Sequence, residues 1–373
     1  MKKILVFVGT RPEAIKMAPI YMELKKNPNF DPLLVSSGQH KEMLYQALND
    51  FNLVPDVDLG IMTSNQTLSG MSAKLFVAID DLLERTAPDA VLVQGDTTTV
   101  QVASLAAFYK QIPVGHVEAG LRSHNILSPF PEELNRRITG IVASWHFAPT
   151  LKAKQNLLAE GVEESNILVS GNTVIDALLW TKDKVELTPP KLPDDIQKII
   201  DSGKKIILVT GHRRESFGRG FENICTALEV IAQKFPDARI IYPVHLNPRV
   251  RQVVKERLDH HDGIVLCDPL TYQPFVYLMN KSYIILSDSG GIQEEAPSLG
   301  KPVLIMRELT ERPEGVEAGL NFLVGTDVGR IVQQTSNFIE HPETHKNISN
   351  IKSPFGNGDA ARKIVSFLSN VLK

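Results

Sequence analysis

The chain has 373 residues, 40 Lys+Arg against 43 Asp+Glu, 43% hydrophobic residues and two cysteines. That composition excludes a disordered tail and a disulfide scaffold, and a formal net charge of −3 excludes a protein that gathers nucleic acid by overall attraction. The length is enough for two domains, each able to bury its own core.

Met1-Lys2-Lys3 and the apolar run Ile4 to Val8 open the chain, and that run is too short for the core of a secretory signal. No stretch approaches the roughly 20 apolar residues that cross a bilayer. Cys225 and Cys267 lie too far apart in sequence for a disulfide framework or a clustered zinc site, which fits a reducing compartment. The expectation is a cytoplasmic protein with a small-molecule partner, no nucleic acid and no membrane.

In chain order, short β-branched runs at Ile4 to Val8, Leu33 to Ser36, Ala90 to Gln94, Val114 to Glu118, Trp145 to Ala148 and Ile167 to Val169 read as strands. Patterns such as Ala14 to Lys26 and Lys41 to Asn49 read as helices between them. The runs are nearly continuous in apolar residues, as parallel strands covered on both faces are. A stretch rich in Pro, Lys and Asp, Thr181 to Lys205, breaks the rhythm. It restarts at Ile206 to Thr210 and continues through Ile240 to Pro243, Ile264 to Leu266, Ile284 to Ser287 and Val303 to Met306. Residues 359–373 read as an amphipathic helix. The expected fold class is α/β, with two Rossmann-like doubly wound domains facing a central cleft at the carboxyl ends of their strands.

Each polar cluster follows a predicted strand. Gly9-Thr10-Arg11-Pro12-Glu13 opens a helix with Lys16 one turn on; free amides with Arg11 and Lys16 would hold an anion, while a helix cap with solvated charges accounts for the same residues. Gly95-Asp96-Thr97-Thr98-Thr99 puts Asp96 at a strand end beside hydroxyls suited to capping the next helix, a role Asp96 itself could fill. His116-Val117-Glu118-Ala119-Gly120-Leu121-Arg122 ends the next strand on Glu118 and a glycine-softened turn. Pro131-Glu132-Glu133-Leu134-Asn135-Arg136 puts two glutamates in the first turn of a helix, one serving as a favourable terminal charge and the other free to point into the cleft. Asp96, Glu118 and Glu132 would then converge. Carboxylates sharing a desolvated site suit proton transfer, and no pattern completes an oxygen cage for a metal.

In the second half, Gly211-His212-Arg213-Arg214-Glu215 concentrates positive charge, with His212 and Arg213 suited to a phosphate or pyrophosphate and Arg214 to pairing with Glu215. Ser287-Asp288-Ser289-Gly290-Gly291-Ile292-Gln293-Glu294-Glu295 reads as strand, turn and helix start. Its glycines permit close approach of backbone to phosphate, and a glutamate one turn into the helix can accept from both ribose hydroxyls. A plain helix start explains the serine and the glutamate but not the glycine pair. Arg312, in Glu311-Arg312-Pro313-Glu314, could return to the same ligand, and Tyr272 to Phe275, read as a loop, could border a base. The cysteines are small apolar fillers, and His245 follows a strand without an assigned role.

In this order and over nearly the whole chain, these motifs resemble those of the bacterial non-hydrolysing UDP-N-acetylglucosamine 2-epimerases. The resemblance implies a GT-B-like fold with domains 1–170 and 171–358, the helix 359–373 crossing back to the first, and a homodimer. It implies interconversion of UDP-GlcNAc and UDP-ManNAc with no cofactor and no metal, supplying ManNAc for surface polysaccharide. Asp96, Glu118, Glu132 and His212 would be catalytic. Arg11, Lys16, Phe275, Ser289, Gly290, Gly291, Glu295 and Arg312 would hold the UDP, with Asp96, Glu118 and His212 also touching substrate.

The chemistry fits that residue set. The hydrogen on C2 is not beside a carbonyl, so direct abstraction faces a prohibitive barrier, whereas elimination of UDP to 2-acetamidoglucal and re-addition avoids it. Some members bind a second UDP-GlcNAc as activator, through residues matching Gln39, Glu132, Arg213 and His245. Glu42 and Asn65 depart from that pattern by adding an anion and losing a cation, which weakens the expectation of such a site. The alternatives are a hydrolysing epimerase releasing ManNAc and UDP, a GT-B glycosyltransferase, and a non-catalytic sugar-nucleotide sensor.

Overall fold

A strand apolar on both faces must be covered on both, and Ile4 to Val8 are at most 1% exposed. The computed structural model describes residues 1–38, 41–61, 66–211, 213 and 218–372, the side chains of Lys41 and Arg249 excepted. These fall into two units, Met1–Leu179 with Phe355–Lys373, and Trp180–Pro354.

The first unit runs β1 (Lys2–Val8), α1 (Arg11–Lys26), β2 (Phe30–Ser36), α2 (Lys41–Asp50), β3 (Val57–Asp58), α3 (Leu68–Thr86), β4 (Ala90–Gln94), α4 (Thr98–Tyr109), β5 (Val114–Val117), α5 (Glu132–Val142), β6 (Trp145–Ala148), α6 (Leu151–Ala159), β7 (Ile167–Val169) and α7 (Thr173–Leu187). Among the described residues its strands form one parallel sheet in the order β3-β2-β1-β4-β5-β6-β7, with Val6 opposite both Leu34 and Leu92. Leu5, Phe7, Val91 and Val93 pack with Leu75, Ile79 and Leu82 of α3 and Ala103 and Ala106 of α4. The order reverses between β1 and β4, so the loops after those strands diverge and leave a hollow at the carboxyl edge.

The second unit continues with α8 (Asp194–Asp201), β8 (Lys205–Thr210), α9 (Arg219–Lys234), β9 (Ala238–Pro243), α10 (Pro248–Leu258), β10 (Ile264–Cys267), α11 (Tyr272–Lys281), β11 (Ile284–Ser287), α12 (Ile292–Ser298), β12 (Val303–Ile305), α13 (Pro313–Glu317), β13 (Asn321–Leu323), α14 (Val328–Glu340) and α15 (Pro342–Ser349). Its parallel sheet has the order β10-β9-β8-β11-β12-β13, which reverses between β8 and β11. Ile207, Val209, Ile240 and Leu286 meet Phe221, Ile224, Leu228 and Ile231 of α9. The sequence reading lacks β3 and β13, edge strands of two and three residues that are too short to show a period. Part of the stretch read as a break is helical, in α7 and α8.

The last helix, α16 (Ala360–Val371), belongs to the first unit. It packs on α1, where Asn27 Nδ2 donates to Ser369 Oγ at 3.3 Å, and Phe367 meets Phe147 edge-on at 5.6 Å. The Asp176 carboxylate on α7 accepts the amides of Ala360 at 3.2 Å and Ala361 at 2.9 Å. The amide of Asn172 donates to the Phe355 carbonyl at 2.8 Å. These bonds keep the first turns of α7 with the returning segment. The chain therefore changes unit inside α7 and again at Phe355, where the sequence reading placed the changes at 171 and 359.

Burial raises the Asp176 carboxyl to about 6 despite the two amides it accepts. Because that value lies above the unfolded one, this group's stabilisation is fully present below the ordinary value of 3.8 and is lost as pH rises through about 6. Asp176→Asn removes the titration. The unfolding free energy of the natural chain relative to this variant should shift in favour of the natural chain by about 1–3 kcal/mol on going from about pH 7.5 to about pH 4.5 in denaturant titrations. A difference that stays constant with pH would contradict this.

Candidate active site

The reversal between β1 and β4 produces a pocket of about 150 Å³ within the first unit. Thr10, Pro12, Glu13 and Lys16 line it from the β1–α1 turn and α1, Gln94, Gly95, Asp96 and Thr97 from the end of β4, Glu118 and Leu121 from the end of β5, and Arg136 from α5. Asp96 is not the helix cap. Thr97 takes that role, its hydroxyl accepting the Val100 amide, and Asp96 Oδ2 accepts from Arg136 Nη2 instead. Burial pushes the Asp96 carboxyl above its ordinary value, Arg136 pulls it part of the way back, and the neighbouring Glu118 adds to the rise.

Glu118 is 9% exposed, and its Oε2 accepts from both Lys16 Nζ and Gln94 Nε2. Three acidic side chains, Glu13, Asp96 and Glu118, therefore share one small volume with two basic ones, Lys16 and Arg136. The Glu118 backbone lies at φ 63°, a left-handed conformation that costs a non-glycine residue on the order of 1–3 kcal/mol. The turn beyond it is tightly held: a Cβ on Gly120 would come within 2.2 Å of the Ala153 carbonyl oxygen, and Arg122 forks onto Glu160 at 2.8 and 2.7 Å. Behind the pocket, His116 Nε2 donates to the Gly95 carbonyl at 2.8 Å, and burial lowers the ring to about 3. His116 is thus a neutral donor that braces the peptide before Asp96.

The β1–α1 turn differs from the expected anion cradle. Glu13, 2% exposed, takes the amides of Gly9 at 2.8 Å and Thr10 at 2.6 Å and the Thr10 hydroxyl at 2.9 Å on Oε2, while Thr97 donates to Oε1 at 2.7 Å. A carboxyl group of the chain itself therefore already occupies those two amides, although burial pushes it above its ordinary value. Lys16 pairs with Glu118, and Arg11 stands half-buried at the first position of α1.

Both glutamates of the 132–133 doublet lie in the first turn of α5, as expected. Glu133 is wholly buried; Glu132 is half-buried and is not among the pocket-lining residues. The structure therefore brings Asp96, Glu118 and Lys16 together and leaves Glu132 outside that group. Sequence reasoning did not single out Gln94, Glu13 or Arg136. A polar residue closing the apolar run of β4, and an arginine one turn past two glutamates, were the available signals.

In the second unit, Thr210 and Ser287 end the paired strands β8 and β11 with hydroxyls 2.7 Å apart. Asp288, with no exposed surface, accepts the Arg213 amide at 2.8 Å, and the Ser289 amide donates to Ser287 Oγ at 3.0 Å. Neither Gly290 nor Gly291 is at positive φ, and a Cβ on either would meet only ordinary contacts of 3.7–3.9 Å. Glu294, 4% exposed, accepts from Arg312 Nε, whereas Glu295 lies 3.5 Å from the Tyr272 hydroxyl. Phe275 belongs to α11, which corrects the expected loop: Tyr272 begins a helix whose buried Tyr272 and Val276 fasten it to the core. His245 is exposed, its Nδ1 accepting the Asn247 amide at 3.1 Å. His212, Arg214, Glu215, Gln39 and Asn65 lie outside the described residues.

Among the described residues, no group of three or more His, Cys, Asp or Glu side chains is placed to hold a metal ion. Among the same residues, no helix is long and apolar enough to cross a membrane.

A family model described as UDP-N-acetylglucosamine 2-epimerase matches residues 22–369. The UDP-N-acetylglucosamine 2-epimerase of Escherichia coli K12 is 52% identical over 371 residues, spanning 99% of this chain and 98% of its own. Among solved structures, UDP-GlcNAc 2-epimerase from Neisseria meningitidis bound to UDP-GlcNAc is 47% identical with a TM-score of 0.87, covering 99% of this chain and 100% of that one. The enzyme from Methanocaldococcus jannaschii in complex with UDP-GlcNAc and UDP is 35% identical with a TM-score of 0.78, covering 99% of each.

The Glu13 cluster yields a prediction of its own. Glu13→Leu leaves two buried amides without their acceptor, and denaturant unfolding should show a loss of about 2–5 kcal/mol. A loss below about 0.5 kcal/mol would mean that those amides find other acceptors.

Proposed function

The chain belongs to the UDP-N-acetylglucosamine 2-epimerase family, and we propose that it interconverts UDP-GlcNAc and UDP-ManNAc by the non-hydrolysing route. A base takes the proton from C2 as the C1–O bond breaks, the bonding pair leaves with the UDP oxygen, and 2-acetamidoglucal remains. A proton then reaches C2 on its opposite face while the UDP oxygen returns to C1. Nothing is gained or lost overall, provided water is kept from the glycal.

The observation that carries this reading is the pairing of Asp96 and Glu118 in one desolvated pocket, each beside its own cation and Glu118 on a strained backbone. Proton transfer in both directions calls for two such groups, and carboxylates also offset positive charge developing at C1. Glu132 joins them as a third candidate. His212 and Arg11 are assigned to the diphosphate, and Ser289, Gly290, Gly291, Glu295, Arg312 and Phe275 to the nucleotide. The glycine pair supports that assignment, because the fold itself does not require glycine there and a phosphate lying where a Cβ would stand does.

Proton NMR of UDP-GlcNAc with the protein in D2O, without added metal or NAD, should show UDP-ManNAc carrying deuterium at C2. Free ManNAc plus UDP would establish hydrolysis instead, and an unchanged spectrum would remove the epimerase reading. Glu118→Gln should retain UDP binding and lose epimerisation, whereas full activity would take Glu118 out of the mechanism. Gly290→Ala and Gly291→Ala should keep the unfolding midpoint of the natural chain and weaken UDP binding about tenfold or more in calorimetric titration. Undiminished binding would put the diphosphate elsewhere.

A further inference from the structure

The two carboxylates of the doublet that opens α5 are treated differently by the fold. Glu133 has no exposed surface. Its Oε2 accepts the Ser123 amide at 3.0 Å and lies 3.4 Å from Arg136 Nη1, one turn along the helix. Among the described residues its Oε1 has no hydrogen-bond donor, and it stands 3.8 Å from Arg137 Nε. The same Arg136 directs its other terminal nitrogen, Nη2, to Oδ2 of Asp96. One planar guanidinium therefore spans two carboxylates, one in the pocket and one sealed behind it.

A guanidinium held at a single corner can turn about that contact, and a second anion on its other terminal nitrogen fixes its plane. The neighbouring residue adds a further brace. Asn135, 2% exposed, donates from Nδ2 to the Asp96 carbonyl at 2.9 Å. The first turns of α5 thus hold Asp96 by its main chain and, through Arg136, by its side chain.

We propose that Glu133 is a positioning residue for the reaction: its buried carboxylate sets the plane of Arg136, and Arg136 keeps the Asp96 carboxylate aimed into the pocket. This rests on the reading of Asp96 as a proton-transferring group. Glu133 itself touches no substrate. The competing role is structural, a clip for the turn at Ser123 that would leave the chemistry alone. The two roles separate in kinetics, because a clip changes the amount of folded enzyme, whereas a positioning group changes kcat and leaves KM in place.

The experiment compares the full natural chain, Glu133→Gln, Arg136→Met and the double variant for conversion of UDP-GlcNAc to UDP-ManNAc, with the unfolding midpoint of each recorded. E133Q should lose about 10- to 100-fold in kcat, the scale of a small misplacement of a catalytic group, while KM stays within about threefold. A folded E133Q with kcat within about twofold of the natural chain overturns the proposal. Should E133Q fail to fold, the double variant decides. If Glu133 acts through Arg136, removing both charges restores a folded protein with the midpoint of R136M. If the double variant also fails to fold, Glu133 serves the Ser123 turn and the proposal falls. A natural chain that does not epimerise removes the functional reading and this inference together, while an active natural chain with an equally active E133Q removes the inference alone.

Discussion

A carboxylate that leaves water loses several kcal/mol of solvation and must be met by a cation or by several donors at fixed positions. Around the carboxyl edge of the first sheet this constraint recurs: Glu13 is met by two amides and two hydroxyls, Glu118 by Lys16 and Gln94, Asp96 by Arg136, and Glu133 by Arg136 and the Ser123 amide. Each pairing joins two different elements or closes a turn, so the charges order the loops around the pocket. Compensation is uneven. Burial pushes both Glu13 and Asp96 above their ordinary values, but Glu13 engages four donors with its two oxygens, whereas Asp96 Oδ2 faces the pocket-lining Arg136.

A second regularity links the two units. In each, a helix carries adjacent glutamates in its first turn, and neighbouring helical positions point roughly 100° apart, so the two cannot face the same partner. One member takes an arginine: Glu133 with Arg136, Glu294 with Arg312. The other member, Glu132 or Glu295, is left in a different setting. A doublet thus lets one short segment place two carboxylates in two different settings.

Much of the fold was legible because the central strands are continuous apolar runs bounded by turns; Ala90 to Gln94 and Trp145 to Ala148 agree residue for residue with β4 and β6. The edge strands β3 and β13 were not, since two or three residues give no pattern. At the site, the residue types after each strand were readable, but their pairing was not. The Thr10-x-x-Glu13 spacing of a capping box is a local signal that Glu13 fills its own turn, but nothing local tells that Lys16 would reach Glu118, 102 positions away, or that Glu118 would adopt a left-handed backbone. Those outcomes depend on which loops the strand order brings side by side. Phe275, read as part of a loop, lies in α11 because Tyr272 and Val276 bury against the core and carry the helix through it.

The return of Phe355–Lys373 to the first unit also has a consequence for how the protein is made. The second unit is one unbroken stretch, Trp180–Pro354, so all of it has been synthesised while the first unit still lacks its closing helix. Until α16 emerges, the surface of α1 that it covers stays wet and the Asp176 carboxylate lacks the amides of Ala360 and Ala361. The unit begun first is the last to be completed, and a premature stop near the end of the message would damage the N-terminal pocket's own scaffold while leaving the second unit intact.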